Sequence, residues 1–281
     1  MERPYKKWLR TLCASLVALV FFVPIWMMLL GSFKDQGEVL HLDLNFPSQL
    51  RIDNYIHVLQ TGSILRGYWN SIVITTGAVV LILLCGAVTG IIISRRKGRS
   101  GRALYLYYLF GLTATMQIVT TYSLMIKLKL NGSYLGVILV FTAINLPFAV
   151  MTFSSFVTGV PREIDEAAII DGAGPLRLIF RILLPIMKPV TVTNLIIAAI
   201  GVWNNFQVPL YLMSSSRQTT IPMTVFNFYG LYARSWNYVF AALTITILPV
   251  VLLYLCLQKY IVEGMTAGAV KGCGPPPRHK E

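Results

Sequence analysis

Polar groups able to make specific contacts are concentrated in one stretch of this chain, residues 161–189. The stretch reads PREIDEAAIIDGAGPLRLIFRILLPIMKP and contains four acidic and four basic residues between two long apolar runs. A loop this polar and this regularly patterned, in a chain that is otherwise mostly apolar, indicates a docking element for a soluble partner.

Helix rules divide this stretch into two helices. Pro161 suits a first turn, where its missing N–H costs nothing, and the three acidic residues that follow favour the positive end of a helix. The first helix should stop at Gly172, a good C′ residue. A second should begin near Gly174-Pro175 and end at the Leu184-Pro185 break. The prediction is a helix–turn–helix.

A second set of polar side chains consists of uncharged amides and aromatic rings inside the apolar runs. Amides donate and accept hydrogen bonds without a charge to desolvate, and aromatic faces stack on sugar rings. Hydrogen bonding between helices would use the same amides, and both interpretations stay open. The candidates for a substrate path are Gln117, Asn145, Trp203, Asn204, Asn205, Phe206 and Gln207.

Composition makes this a membrane protein. The mean hydropathy is +0.66 and only 12% of the 281 residues are charged, which is far from the usual composition of soluble domains. A bilayer core about 30 Å thick needs roughly 20 apolar residues per helix. Six windows without Asp, Glu, Lys or Arg are long enough: 11–33, 67–94, 103–126, 130–161, 190–216 and 235–258.

The basic residues set the orientation. The N-terminus, the loop at 94–102, the 161–189 stretch and the C-terminal tail hold 17 of the 24 lysines and arginines. By the positive-inside rule these four segments are cytoplasmic, so both termini are expected inside. We expect a cytoplasmic N-terminus over 1–10, a six-span domain over 11–262 with a loop at 159–189, and a cytoplasmic tail over 263–281.

Several function classes are disfavoured. Ion-coupled carriers usually place an acidic or histidine side chain in the membrane, and the six windows contain no charged residue. No phosphate-binding loop of the G-x-x-x-x-G-K-[ST] type occurs, and the four cysteines, without a CxxC pair, predict neither disulfides nor a metal site. Uphill transport by this chain would therefore need energy from a partner, with no cofactor in the chain itself.

The second window contains Gly86-x-x-x-Gly90, a small-residue face that lets two helix backbones approach closely. Packing within the chain and contact with another subunit both remain open.

The 161–189 stretch resembles the signature of the membrane subunits of binding-protein-dependent ABC importers. That signature is E-A-A, three residues, Gly, nine residues, then I-x-L-P, and here it reads Glu166-Ala167-Ala168, Gly172 and Ile182-Leu183-Leu184-Pro185. Trp203-Asn204-Asn205-Phe206 and the 264–272 segment, GMTAGAVKG, are similar to the smaller-permease branch of the carbohydrate importers, of the maltose and multiple-sugar type. That branch often has Asp at the position of Asn205.

The resemblance implies a fold and a set of partners. The fold is an all-α integral membrane protein, a type I importer core with six transmembrane helices and a cytoplasmic coupling helix–turn–helix, in the cytoplasmic (inner) membrane of a bacterium. The partners are a second permease, two cytoplasmic ATPase subunits that bind ATP and magnesium, and an extracytoplasmic solute-binding protein; no nucleic acid is implied. The chain would thus be a transport subunit and not an enzyme.

The resemblance also assigns candidate residues. Those for coupling to the ATPase are Glu163, Glu166, Ala167, Ala168, Asp171 and Gly172, with the two alanines as a close-packing surface. Those for contact with the binding protein are Ser214, Ser215, Ser216, Arg217 and Gln218, unless this segment is a solvated connector.

The cargo implied is carbohydrate, an oligosaccharide in particular. A polyol, a sugar phosphate or another solute is the alternative within the class, and an ion-coupled secondary carrier or a membrane enzyme the alternative outside it. The sequence leaves open which sugar is carried, which subunit contacts it, and the role of the tail after Gly272.

Overall fold

The computed structural model describes residues 4–96, 98–213, 218–229 and 235–269, and in these ranges the chain is mostly helical. We number the helices in chain order. They are α1 (Pro4–Gly31), α2 (Gln36–Val39), α3 (Asp53–Thr61), α4 (Ile64–Arg95), α5 (Arg99–Thr113), α6 (Ile118–Lys127), α7 (Tyr134–Thr158), α8 (Glu163–Ile170), α9 (Pro175–Ile186), α10 (Lys188–Trp203), α11 (Gln207–Leu212), α12 (Ile221–Thr224), continued by a 3-10 turn over Val225–Phe228, and α13 (Trp236–Ala269).

Four of these helices contain stretches long and apolar enough to cross a membrane. The stretches are Trp8–Gly31, Ile64–Arg95, Tyr134–Thr158 and Trp236–Cys256. Two further spans are possible if each of two bent pairs, α5 with α6 and α9 with α10, counts as one. The described residues thus give four to six candidate spans.

The third window does not form the single helix that its apolar length predicts. It is divided into α5 and α6. The chain bends by 117° between these two helices, across residues 114–117. Charge-free length predicts where a chain can cross but carries no information about continuity. Threonine, here Thr113 and Thr115, is among the weaker helix formers, and the Gln117 carbonyl accepts hydrogen bonds from the Thr120 and Thr121 hydroxyls at 3.0 and 2.8 Å at the start of α6.

By its internal contacts the chain forms two units, and the first comprises Met1–Asn70 and Ser216–Pro249. Here Asn54 donates to the carbonyls of Ser32 and Lys34, both at 2.9 Å, and accepts from Asn237 at 3.0 Å. The buried Lys34 ammonium pairs with Asp43, and this hydrogen bond, with a second from Asn45, lowers the pKa of that carboxyl. The polar segment after α1 is thus ordered by hydrogen bonds that include a buried amide.

The second unit comprises Ser71–Ser215 and Val250–Glu281, and α7 runs through its core. This helix contacts α5, α10 and α11 and contributes the buried Phe141 and Phe153. Helix α4 meets α7 at the glycine pair. A Cβ on Gly86 would lie 2.9 Å from the Ala149 Cβ, and one on Gly90 would lie 2.6 Å from the Phe153 Cβ. The small-residue face therefore packs within the chain.

Helix α9 continues past the expected break. The sequence predicts its end at Leu184-Pro185, but the helix runs to Ile186 and turns by 79° at Met187 into α10. Residues Leu178–Leu183 are π-helical. Pro185 has no N–H for the carbonyl of Arg181, and the wider π turn accommodates that lost bond without ending the helix.

Candidate docking helix and substrate path

Helix α8 ends where its sequence predicts, but it begins at Glu163, so Pro161 lies before the helix and not in its first turn. Its first turn contains Glu163, Asp165 and Glu166, which the helix dipole favours there. At the other end Gly172 has a φ of +77°. Its N–H donates to the Ile169 carbonyl at 3.0 Å, and the Ala173 N–H donates to the Ala168 carbonyl at 2.9 Å. This pair of bonds is a Schellman cap, which requires the left-handed conformation that glycine adopts most easily.

The two long faces of α8 have different surroundings. Ile164 packs against the core of the second unit, and Ala168 on the same face is buried. The opposite face presents Glu163, Glu166 and Ala167, all exposed, at the spacing of residues that share one side of a helix. The outward face is therefore acidic, small and free of contacts with the described core.

Ala168 corrects one expectation. Ala167 and Ala168 were both assigned to a close-packing surface for a partner, but Ala168 is only 6% exposed and faces this chain's own core. Successive helical residues are about 100° apart, so neighbours seldom share a face. Only Ala167 of the pair is available to a partner.

An apolar patch at the end of α8 is absent from the sequence-based assignment. Ile170 is 85% exposed, and Ile169 and Leu176 are also largely exposed. Ile170 continues the outward face, because it follows Glu163 by seven positions and Ala167 by three. That spacing was the signal available in the sequence. Exposed apolar residues beside acidic ones are typical of a protein–protein contact.

Arg95, the last residue of α4, holds α8 to the second unit. Its Nε lies 2.6 Å from Oδ2 of Asp165, and its Nη2 donates to Oδ1 of the same residue at 3.2 Å. Its Nη1 donates to the carbonyls of Val157 and Val160 at 3.3 and 3.1 Å. The planar guanidinium thus joins three segments at once, as arginine but not lysine can do. In the sequence, Arg95 is distinguished only as one of the basic residues at 94–102 that set the orientation.

The substrate-path candidates differ in their surroundings. The Asn145 amide donates to the Phe141 carbonyl one turn back at 2.8 Å, and the Asn205 Oδ1 accepts from the Val208 N–H at 2.9 Å, which caps α11. Trp203 is buried. The others are Asn204 and Gln207, which are exposed, Phe206, which is half-buried, and Gln117, which lines a cavity at the α5–α6 break. Asn145 and Asn205 thus already serve local structure.

Four of the binding-protein candidates, at 214–217, lie outside the described residues. The fifth, Gln218, is described and half-buried. Within the ranges that the structure describes, no group of three or more His, Cys, Asp or Glu side chains could hold a metal ion.

The sequence also matches a known family. Residues 82–267 match the model described as "Binding-protein-dependent transport system inner membrane component". The chain belongs to this family. The permease is therefore a transport subunit of the inner membrane and not an enzyme.

Relatives of the permease match it over nearly its full length. It is 29% identical over 93% of its length to the melibiose/raffinose/stachyose import permease MelC of Bacillus subtilis (strain 168), covering 96% of that protein. It is 31% identical over 96% of its length to the arabinooligosaccharides transport system permease AraQ of Halalkalibacterium halodurans, covering 98%.

Among solved structures, the permease resembles a bacterial ABC transporter that imports the acidic polysaccharide alginate. The TM-score is 0.79 at 21% identity, over 92% of this chain and 99% of that one. This likeness shows that the permease shares the fold of that chain.

Proposed function

We propose that this permease is a membrane subunit of an ATP-driven importer of carbohydrate, and that α8 is the element through which a cytoplasmic ATPase moves it. The observation that carries the proposal is the construction of α8. Its outward face presents acidic, small and apolar side chains that are exposed. Its inward face is fixed to the transmembrane core by Ile164, Ala168 and the Arg95–Asp165 ion pair.

The coupling step follows from this geometry. The outward face, Glu163, Glu166, Ala167 and Ile170, sits in a cleft of one ATPase subunit. Closure of an ATPase pair brings two such docked helices, one from each permease of the complex, towards each other. Because α8 is fixed to the ends of α4 and α7 through Arg95, these helices move with it and open the path outward. ATP hydrolysis in the partner then restores the inward form.

The cargo proposed is an oligosaccharide. The full-length relatives carry the names of importers of melibiose, raffinose and stachyose and of arabinooligosaccharides. The six sequence windows contain no charged residue, which is consistent with a neutral, hydroxyl-rich solute.

The remaining partners and the topology belong to the same proposal. A solved alginate importer binds a periplasmic protein loaded with an alginate pentasaccharide, and we assign an equivalent solute-binding protein to this permease, with Ser214–Gln218 in the contact. Six spans with both termini and α8 in the cytoplasm satisfy the distribution of basic residues. The second permease is a different chain, and two ATPase subunits bind ATP and magnesium.

Two substitutions in the docking helix test the coupling. Glu166→Lys reverses the charge of the outward face, and Gly172→Pro removes the positive φ and the N–H that caps the helix. Each should abolish carbohydrate uptake while the permease still inserts in the membrane. Uptake at the parental rate in either variant, with the ATPase bound normally, would overturn the proposal.

A further inference from the structure

The break between α5 and α6 lies at a depth where a helix is usually continuous. Helix α5 contains 15 residues from Arg99 to Thr113 and is therefore about 22 Å long at 1.5 Å per residue. A bilayer core is about 30 Å thick. A helix that begins at its basic N-terminus, at the membrane surface, therefore ends inside the hydrocarbon layer.

The segment between the two helices, residues 114–117, has an extended backbone at both ends. Ala114 has φ −74° and ψ 115°, and Gln117 has φ −91° and ψ 104°. Among the residues that the structure describes, no hydrogen-bond partner is found for the N–H groups of Ala114, Thr115, Met116 and Gln117. Four adjacent donors are thus available.

Free backbone donors cannot face lipid. Each unpaired N–H in hydrocarbon costs several kcal/mol, so irregular backbone at this depth occurs only where protein covers it or where it lines a water-filled cavity. Here it borders a cavity of about 900 Å³, and the cavity lining contains no charged side chain.

The opposite wall of the cavity adds an acceptor. Ala143 and Pro147 of α7 both line it. Because Pro147 has no N–H, the Ala143 carbonyl lacks the donor that an α-helix would supply four residues later. Tyr107 and Tyr108 of α5 and the amide of Gln117 complete the polar and aromatic lining. The cavity thus combines backbone donors, an acceptor and aromatic rings without any charge.

We propose that the unwound segment 114–117 is the part of this permease that contacts the translocated carbohydrate. The four N–H groups and the Gln117 amide donate to sugar hydroxyl oxygens, and a tyrosine ring packs on an apolar sugar face. Neutral sugar rings fit this lining, whereas a phosphorylated or carboxylated sugar would find no cation among the lining side chains. This inference rests on the proposed function. The competing occupant is a helix of the second permease, whose own backbone groups are already paired and would leave the donors of 114–117 unsatisfied.

Filling the cavity with a bulky side chain tests whether the segment 114–117 contacts the carbohydrate. In proteoliposomes containing the full complex, Thr115→Trp should lower carbohydrate uptake about tenfold or more, because the indole occupies the space beside the donors. ATP hydrolysis stimulated by the sugar-loaded binding protein should stay within about twofold of the parent, since α8 is unchanged. The matched control is Val119→Trp, an exposed position on α6 that does not line the cavity and should leave both rates unchanged.

A labelling experiment identifies the occupant. Thr115→Cys, in a chain whose four native cysteines are replaced, should react in the assembled complex with a membrane-impermeant thiol reagent, and transported sugar should slow the reaction. A cysteine that fails to react while uptake is normal would show that a partner helix covers the segment and would overturn the inference. Normal uptake by Thr115→Trp would overturn it as well. A parental complex that takes up no carbohydrate would instead contradict the proposed function.

Discussion

Ile170 is the residue whose exposure is hardest to explain within a single chain. It is 85% exposed at the C-terminal end of α8, where Glu163, Glu166 and Ala167 share its face. Burying such a side chain in a partner is worth roughly 1.5–3 kcal/mol. In the proposed contact with the ATPase, the acidic residues supply charge for orientation and Ile170 supplies the apolar contact.

The first prediction concerns this residue. Ile170→Glu should prevent the ATPase subunit from co-purifying with the permease, because a third negative charge on this face replaces the apolar anchor. The matched control is Ile52→Glu, which alters an exposed isoleucine before α3 and should retain the ATPase. Retention of the ATPase in full by Ile170→Glu would contradict the role of this face.

Arg95 carries the second prediction. Arg95→Ala should leave ATPase binding intact but uncouple it, so that uptake falls while the complex still assembles. Removing one member of a fully buried ion pair lowers the free energy of unfolding by about 3–5 kcal/mol. The loss is smaller here, because the side chains of Arg95 and Asp165 are 17% and 14% exposed.

Arg95→Lys should be intermediate, because a lysine cannot reach the carboxylate and two carbonyls together. Arg96→Ala, next in sequence and exposed, is the control and should transport normally. Uptake and ATPase activity measured side by side separate loss of coupling from loss of assembly. Equal behaviour of the Arg95 and Arg96 variants would refute the account of this ion pair.

At the scale of elements, the turn after α8 depends on one backbone conformation. The third prediction is that Gly172→Ala destabilises the end of α8 by about 1–2 kcal/mol, because its φ of +77° suits glycine, whereas Gly172→Asn costs less. Hydrogen exchange of the α8 amides should be fastest in the alanine variant, slower in the asparagine variant and slowest in the parental protein. Unchanged exchange in the alanine variant would contradict the Schellman cap.

The contact of α4 with α7 carries the fourth prediction. Gly90→Ala should destabilise the permease by about 1–3 kcal/mol, because the new Cβ meets Phe153 and the Ser154 backbone nitrogen at 2.6 and 2.9 Å. Gly37→Ala is the control, since nothing lies within 4 Å of a Cβ there. Thermal unfolding of the purified protein in detergent should show a lower Tm for Gly90→Ala alone. Equal Tm values for Gly90→Ala and Gly37→Ala would contradict a close contact of α4 with α7 at this glycine.

Some elements were predictable from sequence and others were not, for physical reasons. The limits of α8 follow from local chemistry: acidic residues in its first turn and glycine at its C′ position. The division of the third window into α5 and α6 does not, because a charge-free run has the same hydropathy whether its helix is straight or broken. The burial of Ala168 and the pairing of Arg95 with Asp165 depend on how distant segments pack. The spacing of Ile170 from Glu163 and Ala167 predicts that the three share a face, but the sequence does not show that Ile170 is exposed.

At the scale of the whole molecule, we propose a docking helix, α8, and a substrate path at 114–117, with ATP hydrolysis supplied by a separate subunit. No phosphate-binding loop occurs in the permease sequence, and the six apolar windows contain no charged side chain. Arg95 joins α8 to α4 and α7, and α7 also borders the cavity at 114–117. A single long helix thus connects the proposed point of coupling with the proposed point of substrate contact.

The most direct test is ATP hydrolysis by the reconstituted complex of two permeases and two ATPase subunits, measured with a panel of sugar-loaded binding proteins. We predict that at least one oligosaccharide-loaded binding protein stimulates hydrolysis and drives uptake in the parental complex, and that neither occurs with Glu166→Lys. Ion-driven uptake by this chain alone, or stimulation and uptake unaffected by Glu166→Lys, would contradict the account.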